Sequence, residues 1–432
     1  MAEIERKLSG FTATSLIVTS MVGTGIFTST GYQVKDLESI GAILFAWVLG
    51  GLTALCGALT YAELITLIPK NGGEYQLLSR LYHPAIGFLM GWVSLTVGFG
   101  APIAAVAFAF GQYCNALLPG VPPRETGILL IIILSALHGS NADRGTHFQN
   151  YFTALKIVLI LAMIIFGLIY SDTSLLFVET QKPALGAIFS SEFSIGLIYV
   201  AFAYSGWNAA AYIAGEIEDP NRTLPRAFFW GTLAVTVLYV LMNIVFLSAA
   251  PMSALSGKIE IGHVVAVHLF GETAGRALSG VIALGLLSTV GAMILSGARV
   301  LEAMGRDYKA LGFLAHRTAG HAPWRAVLLQ SSIAVILLCV AGFDSLIEYT
   351  GFTVTAGLSI SVFAIFIVRK RNLSKPGAYR AWGYPWTSIV YFILSLWMLI
   401  GMLIARPMVS LAGGLTLVLG LGLYGLVQRA NP

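Results

Sequence analysis

Charge is scarce in this 432-residue chain. Only 10% of its residues are Asp, Glu, Lys or Arg, against a hydrophobic share of 57% and a mean hydropathy of +0.82. Water-soluble domains carry about 25% charged residues, so that class is excluded. Cysteine is scarcer still, with three residues. Cys56, Cys114 and Cys339 fall in or at the ends of apolar runs at no metal-ligand spacing, which leaves out a disulfide framework and reads as buried thiols. His263/His268 and His316/His321 are each five apart and match no zinc pattern, so no metal is assigned. There is no G-x-x-x-x-G-K-[ST] string, hence no sign of an ATP-driven motor in the chain, and no other cofactor is expected. Between apolar runs, the longest interval, about 369 to 385, is too short to bury a core of its own. An enzyme would need acid, base or metal-ligand residues clustered at one depth, and none are seen.

What is present is a succession of apolar runs, each near the ~20 residues that cross a ~30 Å hydrocarbon layer as helix. About twelve spans are read: 11–34, 40–66, 83–113, 125–139, 148–170, 192–215, 227–250, 275–300, 325–341, 346–368, 386–404 and 408–427. A β-barrel would instead show alternating segments of about 10 residues. The expected class is therefore an all-α integral membrane protein forming one transmembrane domain. The charged start MAEIERKLSGF runs directly into a full-length span, so no cleaved signal peptide is expected. With the N-terminus inside, 18 of the 25 basic residues face the cytoplasm, 6 face outward and Lys156 lies within a span. The main clusters are Arg369, Lys370, Arg371, Lys375 and Arg380, and Arg299, Arg306, Lys309, Arg317 and Arg325. This bias places both termini in the cytoplasm of a cell (inner or plasma) membrane. It also accounts for the net charge of +5 without a nucleic-acid partner.

Two spans are interrupted. M-V-G-T-G-I-F-T-S-T (21–30) puts two glycines and a threonine in the middle of the first, and Y-S-G-W-N (204–208) puts Ser205 and Gly206 in the middle of the sixth. Each glycine costs about 1 kcal/mol of helix propensity, and a break facing lipid would strand N–H and C=O groups at several kcal/mol apiece. Breaks survive where they line a cavity, and in transporters they build mid-membrane sites: half-helix N–H groups for an anionic group, freed carbonyls for a cation. Small-residue helix packing is the competing reading of a lone G-x-G. The two breaks lie 181 residues apart, which divides the chain into a first five-helix half (11–170), a second (192–368) and two further helices (386–428).

Lys156, in Y-F-T-A-L-K-I-V-L-I-L, is the one lysine deep in a span. It sits about nine residues, or ~14 Å, into its helix, near mid-bilayer. A charge there costs at least about 2.5–3.5 kcal/mol and calls for a function and a partner.

The strings G-T-G-I-F, Y-A-E-L-I-T-L-I-P-K-N-G-G-E-Y, F-A-Y-S-G-W-N-A-A-A-Y-I-A-G-E-I-E-D-P-N-R-T-L-P-R-A and G-A-R-V-L-E-A-M-G-R-D, in that order, resemble the amino acid-polyamine-organocation superfamily, in particular its L-type amino acid transporter branch and related bacterial permeases. The resemblance covers essentially the whole chain. It implies a leucine-transporter-type fold, a 5+5 inverted repeat with broken helices 1 and 6, and alternating access. It implies an amino acid held by Met21, Gly23, Thr24, Gly25 and Ile26 of the first span and Phe202, Ala203, Ser205, Gly206 and Trp207 of the sixth. The carboxylate falls to the N–H groups at 23–25 and the Thr24 hydroxyl, the ammonium to carbonyls near Met21 and at 202–205, and Phe202 to an aromatic gate. Many relatives have Ser where Thr24 stands. Lys156 takes the place of a sodium ion, with carbonyls near Gly23 and Thr289 or Ser288 as its expected partners and protons as a candidate coupling ion.

Pro102, Ile103, Trp207, Asn208, Ala209 and Tyr349 are the expected side-chain walls, and none is an acid or an arginine, which favours neutral substrates. The expected function is sodium-independent transport of neutral L-amino acids by exchange or proton symport. The alternatives are a nutrient-binding sensor without flux, and a sodium-coupled or cationic amino acid or polyamine transporter. The family's eukaryotic branch bonds a glycoprotein partner through an external cysteine. Cys114 lies at the end of a span with no long external loop beside it, so no obligatory protein partner is expected.

Overall fold

The computed structural model describes residues 8–140, 142–177, 184–317, 323–373 and 377–429, without the side chains of 140–154 and 184. Lys375 and His321 lie outside the described residues, as do the first seven and last three. The described chain is helical, with one isolated bridge between Leu8 and Ile217.

Twelve membrane passages follow one another. The first is split into α1 (Gly10–Met21), capped by the Ser9 hydroxyl on the Thr12 N–H, and α2 (Thr24–Leu37). The second is α3 (Ile40–Leu67), capped by Ser39. A turn through Gly72 and Gly73, at φ 116° and 54°, starts the short α4 (Gly73–Leu81) on the N-terminal side. Such angles are open to glycine at little cost. The third passage joins α5 (Pro84–Val93) to α6 (Ala101–Leu117) through a π-helical turn, Ser94–Gly100, in which the Ala101 N–H bonds the Thr96 carbonyl five residues back. Pro102, which has no N–H, sits where the turn ends.

Next come α7 (Pro123–Ser140), α8 (Ala142–Tyr170) and the short α9 (Ala184–Ile188). The sixth passage begins as α10 (Ser191–Tyr204), breaks at Gly206 and resumes as a 3-10 helix, Ala209–Glu216. After it run α11 (Pro220–Ala249), the short α12 (Met252–Leu255) and α13 (Ile261–Phe270), and α14 (Glu272–Asp307). The last four passages are α15 (Trp324–Val340), α16 (Phe343–Lys370), α17 (Trp386–Ala405) and α18 (Pro407–Arg429). Among the described residues, eight passages are long and apolar enough to cross a bilayer by length and composition alone, counting joined helices as one. The protein is thus an all-α membrane protein of about twelve spans, with the first and sixth interrupted.

Lipid-facing rows of Leu, Ile and Val on α17 and α18 stay exposed, and α10 is buried almost throughout against α2, α3, α16 and α17. Along α14, three glycines six residues apart each receive a polar side chain from another helix. A Cβ on Gly285 would lie 2.9 Å from Lys156 Cγ, one on Gly291 2.8 Å from His138 Nε2, and one on Gly297 2.4 Å from Gln330 Oε1. The missing Cβ atoms are the room those side chains occupy.

Between these helices a cavity of about 1660 Å³ opens on the side of the bilayer that carries Lys70, Arg299, Arg306 and Arg317. The opposite side is shut. Tyr32 of α2 stacks between Tyr199 of α10 and Phe343 of α16 at 5.4 and 5.9 Å. Glu348 accepts from Tyr199 Oη at 3.0 Å and from Arg406 Nε at 3.2 Å. The α12 loop closes over Gly31, whose carbonyl accepts the Gly257 N–H.

Candidate functional site

The cavity narrows to the two breaks. At the first, Gly23 lies between α1 and α2 without a capping side chain, so the first-turn N–H groups of α2 at Thr24, Gly25 and Ile26 lack helical partners. At the second, Gly206 sits at φ 100°, in the left-handed region. The breaks interlock through main chain. A Cβ on Gly25 would fall 2.3 Å from Ala203 Cα, and one on Gly206 would fall 2.8 Å from the Ser20 carbonyl carbon. Only glycine permits either approach.

Three side chains engage the freed carbonyls. Lys156 Nζ, almost fully buried, donates to the Val22 carbonyl and to Thr289 Oγ1, both at 3.1 Å. Tyr239 of α11 donates at 2.6 Å to the Met21 carbonyl, with the Ala203 carbonyl at 3.3 Å. Ser205 Oγ turns back to the Phe202 carbonyl at 2.7 Å. A carbonyl has two lone pairs, so Met21 keeps one for an arriving cation, whereas Phe202 uses both on the Ser205 hydroxyl and N–H. Ser288, the other hydroxyl named as a lysine partner, is buried without a hydrogen bond.

The structure brings Ser205, Gly206, Asn208, Ala209, Pro102, Lys156 and Thr289 to the wall of the large cavity. Phe202 and Trp207 line a smaller neighbouring cavity instead. Thr24, Gly25 and Ile26 are buried at the break beneath. Ile103 is buried away from both openings, and Tyr349 Oη pairs with Thr416 Oγ1 of α18 at 2.7 Å.

Two residues that pattern reading did not single out hold the site together. Tyr239 is one of 17 tyrosines, in an apolar run with no break or charge to mark it. Glu74, inside the quoted N-G-G-E-Y string, is buried in α4 and accepts from Tyr61 Oη at 2.9 Å and from Asn208 Nδ2. It ties the segment after the second break to α3. The one available signal was an acid directly after a double glycine.

Charges gather at the mouth. Glu302 accepts from Arg306 and Arg317, and Glu216 accepts from Asn71 Nδ2 at 2.7 Å. Arg317, in the loop beyond the bundle, has its pKa raised, chiefly by the hydrogen bond to Glu302. Deeper, Glu63 is fully buried and bonded to Arg369 Nη2 at 2.7 Å and to the Ala381 N–H at 2.6 Å. Asn243 accepts from Thr30 Oγ1 at 2.6 Å and donates to the Tyr239 carbonyl at 2.8 Å, bracing α2 and the tyrosine together.

A constellation of main-chain donors and acceptors around a buried ammonium is chemically suited to a zwitterion. Residues 8–418 match the model of a family described as amino acid permease. The chain is 30% identical over 441 residues to the serine/threonine exchanger SteT of Bacillus subtilis, covering 99% of this chain and 98% of that protein. It is 28% identical to the mouse b(0,+)-type amino acid transporter 1, over 94% and 84% of the two chains. The identity to the mouse Asc-type amino acid transporter 1 is 26%, over 99% and 83%. These relatives are transporters and exchangers rather than enzymes. With the match running from before the first break to within the last helix, the chain belongs to the amino acid permease family.

Proposed function

We propose that the protein is a sodium-independent transporter of neutral L-amino acids that works by alternating access, through exchange or proton symport. The observation that carries this reading is the Lys156 ammonium, bonded to the Val22 carbonyl and Thr289 where a coupling cation would otherwise meet the broken helix. A fixed cation removes the need for sodium at that point. The unpartnered N–H groups of α2 and the spare lone pair of Met21 offer complementary ends to carboxylate and ammonium without a buried counter-charge. The described residues at the deep end of the cavity include no acid and no arginine, which favours neutral side chains.

In this reading the two five-helix halves, 11–170 and 192–368, move against each other around the breaks. Both termini face the cytoplasm of the cell membrane. The state described is then inward-open, sealed outside by the Tyr32, Tyr199 and Phe343 stack. No obligatory protein partner is proposed. Cys114 is a free, partly buried thiol.

The test is counterflow of labelled L-alanine and L-leucine into proteoliposomes loaded with neutral amino acids in sodium-free buffer. Accumulation above empty liposomes is the expected result. No uptake by folded protein, with or without sodium, would overturn the proposal.

A further inference from the structure

The wall of the large cavity is not neutral. Its described lining carries five bases against three acids, and each acid is already engaged. Glu302 accepts from Arg306 and Arg317, Glu216 accepts from Asn71, and Asp307 accepts from Tyr75 Oη at 2.5 Å and from Gln76 Nε2 at 3.1 Å. Of the bases, Lys156 is bound at the first break. Arg299 and Lys70 are placed differently: both line the cavity, both are exposed, and neither side chain has a hydrogen bond or ion pair among the described residues. Arg299 stands one turn before Glu302 on α14, and that carboxylate is taken by two other guanidinium groups, so the surplus of positive charge is local. Ser296, one turn deeper on the same face, also lines the cavity, with a hydroxyl that no described residue pairs. A guanidinium fork with an O–H donor beside it is a donor set for a carboxylate. From Thr289, which holds Lys156, Arg299 is ten residues along α14, or ~15 Å at 1.5 Å per residue. One carboxylate cannot be at both points.

We propose that Arg299 and Ser296, with Lys70 adding to the field, form a second station for the substrate, which takes the α-carboxylate of an amino acid at the mouth before it reaches the breaks. The proposal rests on the preceding reading, in which an amino acid is transported and the cavity opens to the cytoplasm. A concave wall of one charge sign raises the local concentration of the opposite charge, and a carboxylate with a guanidinium to pair with stays longer than one in open water. The substrate then enters carboxylate first, the order in which it meets the N–H groups of α2 and the Lys156 ammonium at the deep end. The station serves one face only. On the other face the Tyr32, Tyr199 and Phe343 stack closes the path, and Arg299 has no part in it.

The experiment is exchange of labelled L-alanine in inside-out and right-side-out membrane vesicles in sodium-free buffer, which gives a KM for each face and does not depend on how much of a variant folds. Arg299→Gln is expected to raise KM at the cytoplasmic face about 3- to 5-fold, the scale of a solvent-exposed ion pair, with the outer-face KM and kcat unchanged. Arg299→Lys keeps the charge and should recover most of the loss. Raising salt from about 50 mM to about 500 mM shortens the Debye length several-fold, so it should raise the wild-type cytoplasmic KM and move that of Arg299→Gln far less. Arg222→Gln, at an exposed arginine outside the cavity lining, should change neither KM. An unchanged cytoplasmic KM in Arg299→Gln would make the arginine a solvated surface charge and overturn the proposal. A loss of kcat at both faces with KM unchanged would assign it to gating and overturn the proposal equally. Absence of exchange by the wild type at either face, with any neutral amino acid, would instead remove the transport reading beneath it.

Discussion

Replacing Lys156 with alanine removes two hydrogen bonds from an ammonium, to the Val22 carbonyl and to Thr289 Oγ1, each 3.1 Å long. Hydrogen bonds involving a charged group contribute about 1.5–3 kcal/mol each. Even the loss of about 3 kcal/mol shifts the balance between an ordered and a disordered break by roughly 100-fold. The stem matters as well, since its Cγ occupies the space over Gly285. Sodium-free counterflow by Lys156→Ala should therefore fall by about two orders of magnitude in initial rate. The substitution also leaves two oxygen ligands, the Val22 carbonyl and Thr289 hydroxyl, around a vacated cation position. Sodium added on the loaded side should restore part of the rate to the variant and nothing to the wild type. Wild-type rates from Lys156→Ala with an unchanged ion response would refute the role assigned to this lysine. A collapsed rate without sodium rescue would refute only its equivalence to an ion.

Gly25→Ala places a methyl group 2.3 Å from Ala203 Cα, where backbone rather than a flexible side chain must give way. Overpacking of this kind costs about 1–3 kcal/mol or more, so a lower melting temperature in detergent and loss of counterflow are expected; an unchanged melting temperature would contradict the described approach. Tyr239→Phe keeps the ring and removes the donor to Met21 and Ala203, which should cost about 1–3 kcal/mol at the break and raise KM several-fold with the fold intact. A KM equal to that of the wild type would show that the hydroxyl does not support the site. Glu63→Ala strands the largely buried Arg369, at a cost of about 3–5 kcal/mol, and should lower thermal stability more than the double variant Glu63→Ala/Arg369→Ala, as differential scanning fluorimetry would show. A single variant as stable as the double would mean that the pair is not coupled.

The twelve passages and both breaks were legible because hydrocarbon admits so few backbone solutions: a 20-residue apolar run leaves little choice, and a glycine pair inside one needs a reason. Lys156 was legible for the same reason, as a charge where charge is expensive. Less visible were features created by contacts across the fold. The sixth passage, read as a single span over 192–215, turns from α-helix to 3-10 helix after Gly206, and nothing in A-A-A-Y-I-A-G announces the change. Tyr239 meets Met21 across 218 residues of chain, which no local pattern records. Glu74, in the first turn of α4, is buried because α4 folds back against α3 and the 3-10 segment. The choice of Thr289 over Ser288 is a matter of which face of α14 meets α8, and adjacent residues on a helix point about 100° apart.

Where the first passage crosses the sixth, at Gly25 on Ala203 and at Ser20 on Gly206, the surfaces that touch are almost entirely main chain. Side-chain interfaces change through rotamer steps, and each new angle between two helices requires a new fit. A crossing of bare backbone has no rotamers to re-sort. At these points the two passages are held at one close distance by their backbones alone.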